Sequence, residues 1–199
     1  MNTVALIDAG GANLGSVRYA LERLGAPVRI VRDADELRGV GRIVLPGVGA
    51  ASNAMSLLRA RGFDAALREL PVPLLGICLG MQLLFESSEE GDVACLGLLP
   101  GRVRRLGVEK GVRVPHMGWN VLAPLGHSRL LRGLGDDQRM YFVHGYAAPV
   151  SGDCVAACTH GAHFAAVVER GNALGVQFHP ERSSSAGARL LANFLALDA

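Results

Sequence analysis

The chain has 199 residues, 50% of them hydrophobic and 19% charged, which is enough apolar chain for a folded core and too few charges for a disordered tract. Twenty basic against 18 acidic side chains leave a net charge of +2, too weak a field for a general nucleic-acid binder. The first residues lack a basic segment ahead of a long apolar one, and Pro71, Pro73, Gly76 and Gly80 break the longest uncharged run, so we expect no secretory signal, no membrane span and a cytoplasmic location.

Apolar runs at residues 4–7, 28–31, 43–45 and 74–77 predict strands. After the first run, Leu14, Val17, Leu21 and Leu24 recur at helical spacing, with Asn13 placed to cap the helix and Gly25 to end it. Continuous apolar strands joined by helices imply an α/β fold: an open, mostly parallel, flavodoxin-like central sheet flanked by helices. Ligands of such sheets sit beyond the carboxyl ends of the strands. From about Gly97 the pattern becomes β-rich, with strands expected at 101–106, 112–122, 141–146, 154–160, 164–169 and 174–179, some of them added antiparallel. The basic stretch 102–113, with Arg102, Arg104, Arg105, Lys110 and Arg113, reads as a solvated strand edge; a face for a phosphate-bearing ligand or an acidic protein is the competing reading. An amphipathic helix over 184–197 offers Leu190, Leu191, Phe194, Leu195 and Leu197 to the core. With no repeat or linker, residues 1–199 are expected to form one domain.

The segment from Pro73 to Phe85 reads as a buried strand, a sharp turn over Gly76-Ile-Cys-Leu-Gly80 and a helix, the form of a nucleophile elbow. Small residues on either side of Cys78 would let strand and helix approach closely, and the amino end of the helix would favour a thiolate. A buried core cysteine is the alternative. Near the end of the chain, Val176-Gln-Phe-His-Pro-Glu181 would place His179 and Glu181 on one side of extended backbone. A carboxylate on one imidazole nitrogen leaves the other to take a proton from Cys78. At the end of the third strand, Gly47 and Gly49 in Leu45-Pro-Gly-Val-Gly49 would let Val48 aim an N–H that joins the N–H of Leu79 in an oxyanion hole. A plain strand-to-helix turn remains open there.

The four cysteines, Cys78, Cys95, Cys154 and Cys158, are expected as thiols. Cys154, Cys158, His160 and His163 cluster in sequence, but an extended strand would hold the two cysteines about 13 Å apart, and the two histidines are too tightly spaced for a usual zinc site. No metal and no cofactor are expected. His116 and His144 show no proton partner in the sequence, so structural or interface roles are preferred for both.

Taken together, GICLGMQLLF, LPGVGA and GVQFHPE resemble the class I, triad-type glutamine amidotransferases. VPHMGWN at 114–120, YFVHGY at 141–146 and the opening Ile7-Asp-x-Gly-x-x-Asn13-Leu are similar to the glutaminase subunits of imidazole glycerol phosphate synthases. The resemblance implies a glutaminase that hydrolyses L-glutamine through a cysteine thioester and works as a heterodimer with a (β/α)₈-barrel cyclase in histidine biosynthesis, with no nucleic-acid or membrane partner. Cys78, His179 and Glu181 would be its triad, with Val48, Leu79 and Gly47 at the oxyanion hole. Gln82, Glu90, Gly145 and Tyr146 would meet the substrate, and Trp119, Tyr141 and Arg182 the partner. For Glu90 a solvated acidic face with Glu86, Glu89 and Asp92 is the alternative, and for Trp119 an ordinary core aromatic. Ala9 and Ala12 replace the Tyr and Gly usual in the family, Gly145 replaces a Ser or Thr, and Arg182 replaces a Lys. With nearly all of the chain used by the glutaminase fold, the ammonia acceptor is expected on another chain. The competing readings are a glutaminase for another synthase, a silent scaffold of the same fold, and a peptidase or γ-glutamyl hydrolase.

Overall fold

The computed structural model describes residues 3–10, 13–69, 71–107, 111–135 and 138–198; Ala12 and Lys110 lie outside them. The first half alternates strand and helix: β1 (Val4–Ile7), α1 (Leu14–Arg23), β2 (Val28–Val31), β3 (Arg42–Gly47), α2 (Ala51–Ala60), α3 (Phe63–Glu69), β4 (Leu74–Cys78) and α4 (Leu79–Gln82). Strands then dominate: β5 (Phe85–Ser88), β6 (Val93–Ala94), β7 (Leu99–Arg105), β8 (His116–Val121), β9 (Ala123–Pro124), β10 (Arg139–His144), β11 (Tyr146–Ala147), β12 (Cys154–His160), β13 (Ala162–Arg170) and β14 (Ala173–Val176), before α5 (Ser184–Leu195).

The main sheet runs β2-β1-β3-β4-β14-β13-β12-β9. From β2 to β14 the neighbours are parallel, and from β14 to β9 they are antiparallel. Alternation along β1 shows why the parallel strands are apolar throughout. Ala5 and Ile7 face a layer with Met55, Leu58 and Phe63 from α2 and α3, while Val4 and Leu6 face a layer with Val17 and Leu21 from α1 and Leu190 and Phe194 from α5. A sheet covered on both sides leaves no position for a polar residue in its middle. The remaining strands form two smaller sheets, β11-β7-β5-β6 and the β10-β8 ribbon; where β10 gives way to β11, residues 143–146 lie beside Cys78 at the carboxyl end of β4.

Several expectations need correction. The helix expected after Cys78 is a single turn of four residues, since Phe85 already enters β5; the dipole expected to favour a thiolate is therefore short. The basic stretch is not a sheet edge: β7 lies between β11 and β5, with Val103 buried and Arg102, Arg104 and Arg105 exposed, and Arg102 pairs with Asp92 at 2.6 Å. Asn13 does not cap α1 with its side chain; it stands at φ +84° and that side chain reaches across the fold. The strand expected over 174–179 stops at Val176, and Pro180–Arg182 form a 3-10 turn. The strand expected at 112–122 begins only at His116, and the one at 141–146 divides around Gly145 into β10 and β11.

Candidate active site

The parallel register builds the site. Gly47 at the end of β3 lies opposite Cys78 at the end of β4, and Val176 at the end of β14 lies opposite Ile77. Chain leaving β14 therefore carries His179 toward Cys78. Cys78 has φ +55° and ψ −111°, a conformation that costs an L-residue about 1–3 kcal/mol and persists only where the surroundings enforce it. They do so here through glycine: a Cβ on Gly80 would lie 1.8 Å from the Leu45 carbonyl oxygen, and one on Gly76 would lie 2.6 Å from the Gly80 oxygen. Strand, turn and β3 thus approach closer than any side chain permits.

His179 is fixed from several directions. Its N–H donates to the Tyr141 carbonyl at 2.9 Å, its own carbonyl accepts from Ser183 Oγ at 2.7 Å, and Ser183 Oγ accepts from the Tyr141 N–H at 3.0 Å. His179 Nδ1 donates to Glu181 Oε1 at 2.9 Å. The two meet through the 3-10 turn, which folds Glu181 back over the extended His179, and not through a shared face of extended backbone. Asn13 Nδ2 donates to the same oxygen of Glu181 at 2.5 Å. Burial opposes a charge on His179, but hydrogen bonds to the Cys78 sulfur and the Glu181 carboxylate, with their charges, outweigh it and raise the imidazole to about 10. At neutral pH His179 is an imidazolium between the Cys78 sulfur and the Glu181 carboxylate.

A cavity of about 570 Å³ opens over this chain, lined by Cys78, Leu79, Val48, Gln82, Glu90, Gly145, Tyr146, His179 and Arg182 among others. Gly47 and Glu181 line a smaller void behind it, with Val48 and His179. Glu90 is not part of a freely solvated face: its Oε2 accepts from the Ala51 N–H at 2.9 Å, at the start of α2. Its acidic neighbours are also engaged, Glu86 by the Gly101 N–H and Glu89 by the Arg105 N–H. Trp119 is 49% exposed, which excludes a core aromatic. It packs edge-on to Tyr141 at 5.7 Å, and the Arg182 guanidinium stacks over Tyr141 at 4.7 Å, linking the exposed β8-β10 ribbon to the cavity.

All four cysteines are free. Burial pushes Cys95 up to about 11, Cys158 up to about 12 and Cys154 upward as well, so these three stay protonated at neutral pH. Among the described residues no group of three or more His, Cys, Asp or Glu side chains is arranged to hold a metal ion.

Sequence reasoning missed Asn13 as a partner of Glu181, Ser183 as the clamp on His179, and Gln177. Gln177 is fully buried, accepts from Gln82 Nε2 at 3.0 Å and points its own Nε2 at Cys78 Sγ, 3.9 Å away. Its place two residues before His179 in GVQFHPE was the available signal, since residues two apart in the chain leaving β14 turn the same way.

The sequence matches the family described as glutamine amidotransferase class-I over residues 5–197. The chain belongs to that family. A relative from Xanthomonas oryzae pv. oryzae named "Imidazole glycerol phosphate synthase subunit HisH" is 67% identical over 195 residues, covering 98% of both chains, and one of the same name from Xylella fastidiosa is 61% identical over the whole of both. Among solved structures, a glutamine amidotransferase superposes with a TM-score of 0.75 at 24% identity over 96% of both chains, and PurLQS from Thermotoga maritima with 0.73 at 21% over 98% of both. This likeness is one of fold.

The amidotransferase also buries two further histidines beside its cavity, His116 and His144. Burial lowers His116 to about 4, helped by His160. Burial likewise lowers His144 to about 3, against a hydrogen bond to the Tyr146 carbonyl and together with the charges of His116, His160 and His179. Both are neutral when folded yet take up a proton near pH 6.5 when unfolded, so their stabilisation is complete above pH 6.5 and falls as the pH drops toward 4 and then 3. Between pH 7 and 5 the pair is expected to cost roughly 4 kcal/mol of stability, about 2 kcal/mol for each imidazole. Urea denaturation of wild type and of His144→Phe at both pH values checks this: the variant should lose about half of the pH dependence. Equal slopes would place the acid sensitivity elsewhere.

Proposed function

We propose that this amidotransferase is the glutaminase subunit of an imidazole glycerol phosphate synthase, that it hydrolyses L-glutamine to glutamate and ammonia, and that it passes the ammonia to a (β/α)₈-barrel cyclase in a heterodimer. The observation that carries the reading is the Cys78–His179–Glu181 chain opening onto a cavity of a size suited to an amino acid. The relatives' shared name supports the choice of synthase.

In this reading the Cys78 thiolate attacks the side-chain carbonyl of glutamine. The backbone N–H groups of Val48 and Leu79 receive the oxyanion, with Gly47 allowing the approach. The His179 imidazolium then gives its proton to the departing nitrogen, ammonia leaves and a thioester remains. A water molecule, deprotonated by His179, opens the thioester and releases glutamate. Glu181 holds the Nδ1 proton of His179 throughout, and Asn13 holds Glu181. Glu90 offers its carboxylate to the α-ammonium of the substrate, Gln82 offers an acceptor, and backbone groups at Gly145 and Tyr146 complete the pocket. Gly145 brings no hydroxyl, so only its backbone serves.

Trp119, Tyr141 and Arg182 would meet the partner. Arg182 keeps the cation usual at this position, and its planar guanidinium suits stacking on Tyr141. The relatives' name, a subunit of a synthase, favours an ammonia-consuming site on the partner, with residues 1–199 read as one amidotransferase domain. We place the work of the complex in the cytoplasm, where thiols such as Cys78 stay reduced.

Glutamate release by the purified chain, alone and with the barrel cyclase of the same genome, tests the reading. We expect weak turnover alone and at least about tenfold more when the partner and its nucleotide ligand are present. A complex that releases no glutamate would overturn it, and hydrolysis of peptides by the isolated chain would favour the peptidase reading.

A further inference from the structure

Two buried imidazoles, His144 in the cavity wall and His116 behind it, stand in an order that leaves no freedom in their protons. His144 Nδ1 lies 2.8 Å from the Tyr146 carbonyl oxygen, which can only accept, so Nδ1 carries the hydrogen. The Nε2 of a neutral His144 is then bare, and His116 Nδ1, 3.1 Å away, must donate to it. That leaves His116 Nε2 bare in turn, and Asn120 Nδ2 donates to it at 3.3 Å while its other hydrogen goes to the Thr159 carbonyl at 2.9 Å. Each group thus dictates the tautomer of the next. The rings are also packed: His116 stacks on Phe142 and His160, and His144 meets Phe164 edge-on at 4.9 Å. The low proton affinities of both imidazoles agree with this neutral chain.

The far end of the chain is the substrate side. The Tyr146 carbonyl that His144 holds also accepts from Gln82 Nε2 at 2.7 Å, and the second Nε2 hydrogen goes to Gln177 Oε1 at 3.0 Å. With both Nε2 hydrogens committed, the amide of Gln82 cannot flip without losing two bonds. Its Oε1 remains the group offered to the cavity, an acceptor suited to an ammonium and not to a carboxylate.

We infer that His144, backed by His116, is a positioning residue for the amino-acid end of the substrate: through the Tyr146 carbonyl it fixes which way the Gln82 amide faces. The inference rests on the proposed glutaminase reading and assigns no role in the attack of Cys78 itself.

His144→Phe keeps the aromatic packing and removes both hydrogen bonds. In the complex with the cyclase it is expected to raise KM for glutamine about tenfold, the worth of a lost positioning hydrogen bond, with kcat changed less than about threefold. His144→Asn, whose Nδ2 can still donate to Tyr146, should recover most of that loss. Alkylation of Cys78 by iodoacetamide, which has no amino-acid end, should proceed at the wild-type rate in both variants; the raised thiols of Cys95, Cys154 and Cys158 keep the reaction selective. An unchanged KM in His144→Phe, an equal loss in His144→Asn, or slowed alkylation would each overturn the inference. Should His144→Phe fail to fold, His116→Phe replaces it, with the same direction expected and a smaller rise in KM, and an unchanged KM there would overturn it equally. Failure of the function proposed above has a different signature, since the wild-type complex would then release no glutamate.

Discussion

Cys78→Ala in the complex is expected to lower glutamine-dependent synthesis at least about 1,000-fold while leaving synthesis from added ammonium salts within about twofold of wild type. The size of the loss follows from what Cys78 does alone. Among the four cysteines it is the one lining the cavity, and its backbone is forced into a conformation that turns the sulfur outward. Its sulfur raises the proton affinity of the imidazole that Glu181, itself held by Asn13, keeps in place. In the proposed reaction no thioester forms without the sulfur, and His179 and Glu181 then have nothing to act on, so their contribution disappears with it. Alanine fills the same small space, so the fold survives. Ammonia supplied from outside bypasses the glutaminase and reads only the partner's chemistry. Loss of both activities would mean that Cys78 holds the interface or the fold; retention of both would remove it from the reaction.

Gly80→Ala is expected to destabilise the protein by about 3 kcal/mol or more, lowering Tm by roughly 6–12 °C for a chain of this size. A methyl group at Gly80 would sit 1.8 Å from the Leu45 carbonyl oxygen and 2.8 Å from its carbon, and both are backbone atoms of a central strand. No rotamer change relieves such a contact. Either β3 moves away from β4, breaking a register that pairs Leu45 with Gly76 and Gly47 with Cys78, or α4 tilts and takes Gln82 with it. The displacement reaches Pro46, Gly47 and Val48, so glutaminase activity should fall further than stability alone explains. Gly107→Ala is the control: nothing lies within 4 Å of a Cβ there, and its Tm should stay within about 2 °C of wild type. Calorimetry on both variants decides the matter, and a Gly80→Ala protein melting with wild type would show that the close approach is not what requires glycine.

Much of this site is legible in the amino-acid sequence. Apolar runs locate the first four strands to within a residue or two, because a sheet covered on both faces leaves a simple, continuous signal. The glycines around Cys78 announce a turn that only small residues allow, and the distances at Gly76 and Gly80 supply the reason. His179 and Glu181 stand out as a pair, although the geometry that joins them differs from the expected one, since Pro180 starts a 3-10 turn in place of extended backbone. The length of the helix after Cys78 is not legible, because Met81, Leu83, Leu84 and Phe85 are all buried, and buried apolar runs do not distinguish one helical turn from three. The edge assigned to the basic stretch fails for a related reason: exposed arginines on one face of β7 say nothing about whether its backbone hydrogen bonds are taken.

The amino-acid sequence alone points to the tight turn at Cys78, to the His179–Glu181 pair and to the parallel α/β frame, because each is written in residues that are close along the chain. Tertiary structure alone decided which side chains complete them. Asn13 meets Glu181 across 168 positions of sequence, Gln82 meets Gln177 across 95, and His116 meets His144 across 28. Those partners come together because β4 lies between β3 and β14, and because the β8-β10 ribbon brings residues 143–144 beside Cys78 at the carboxyl end of β4. Strand order is the sum of many weak packing preferences over the whole chain, and no local spacing encodes it.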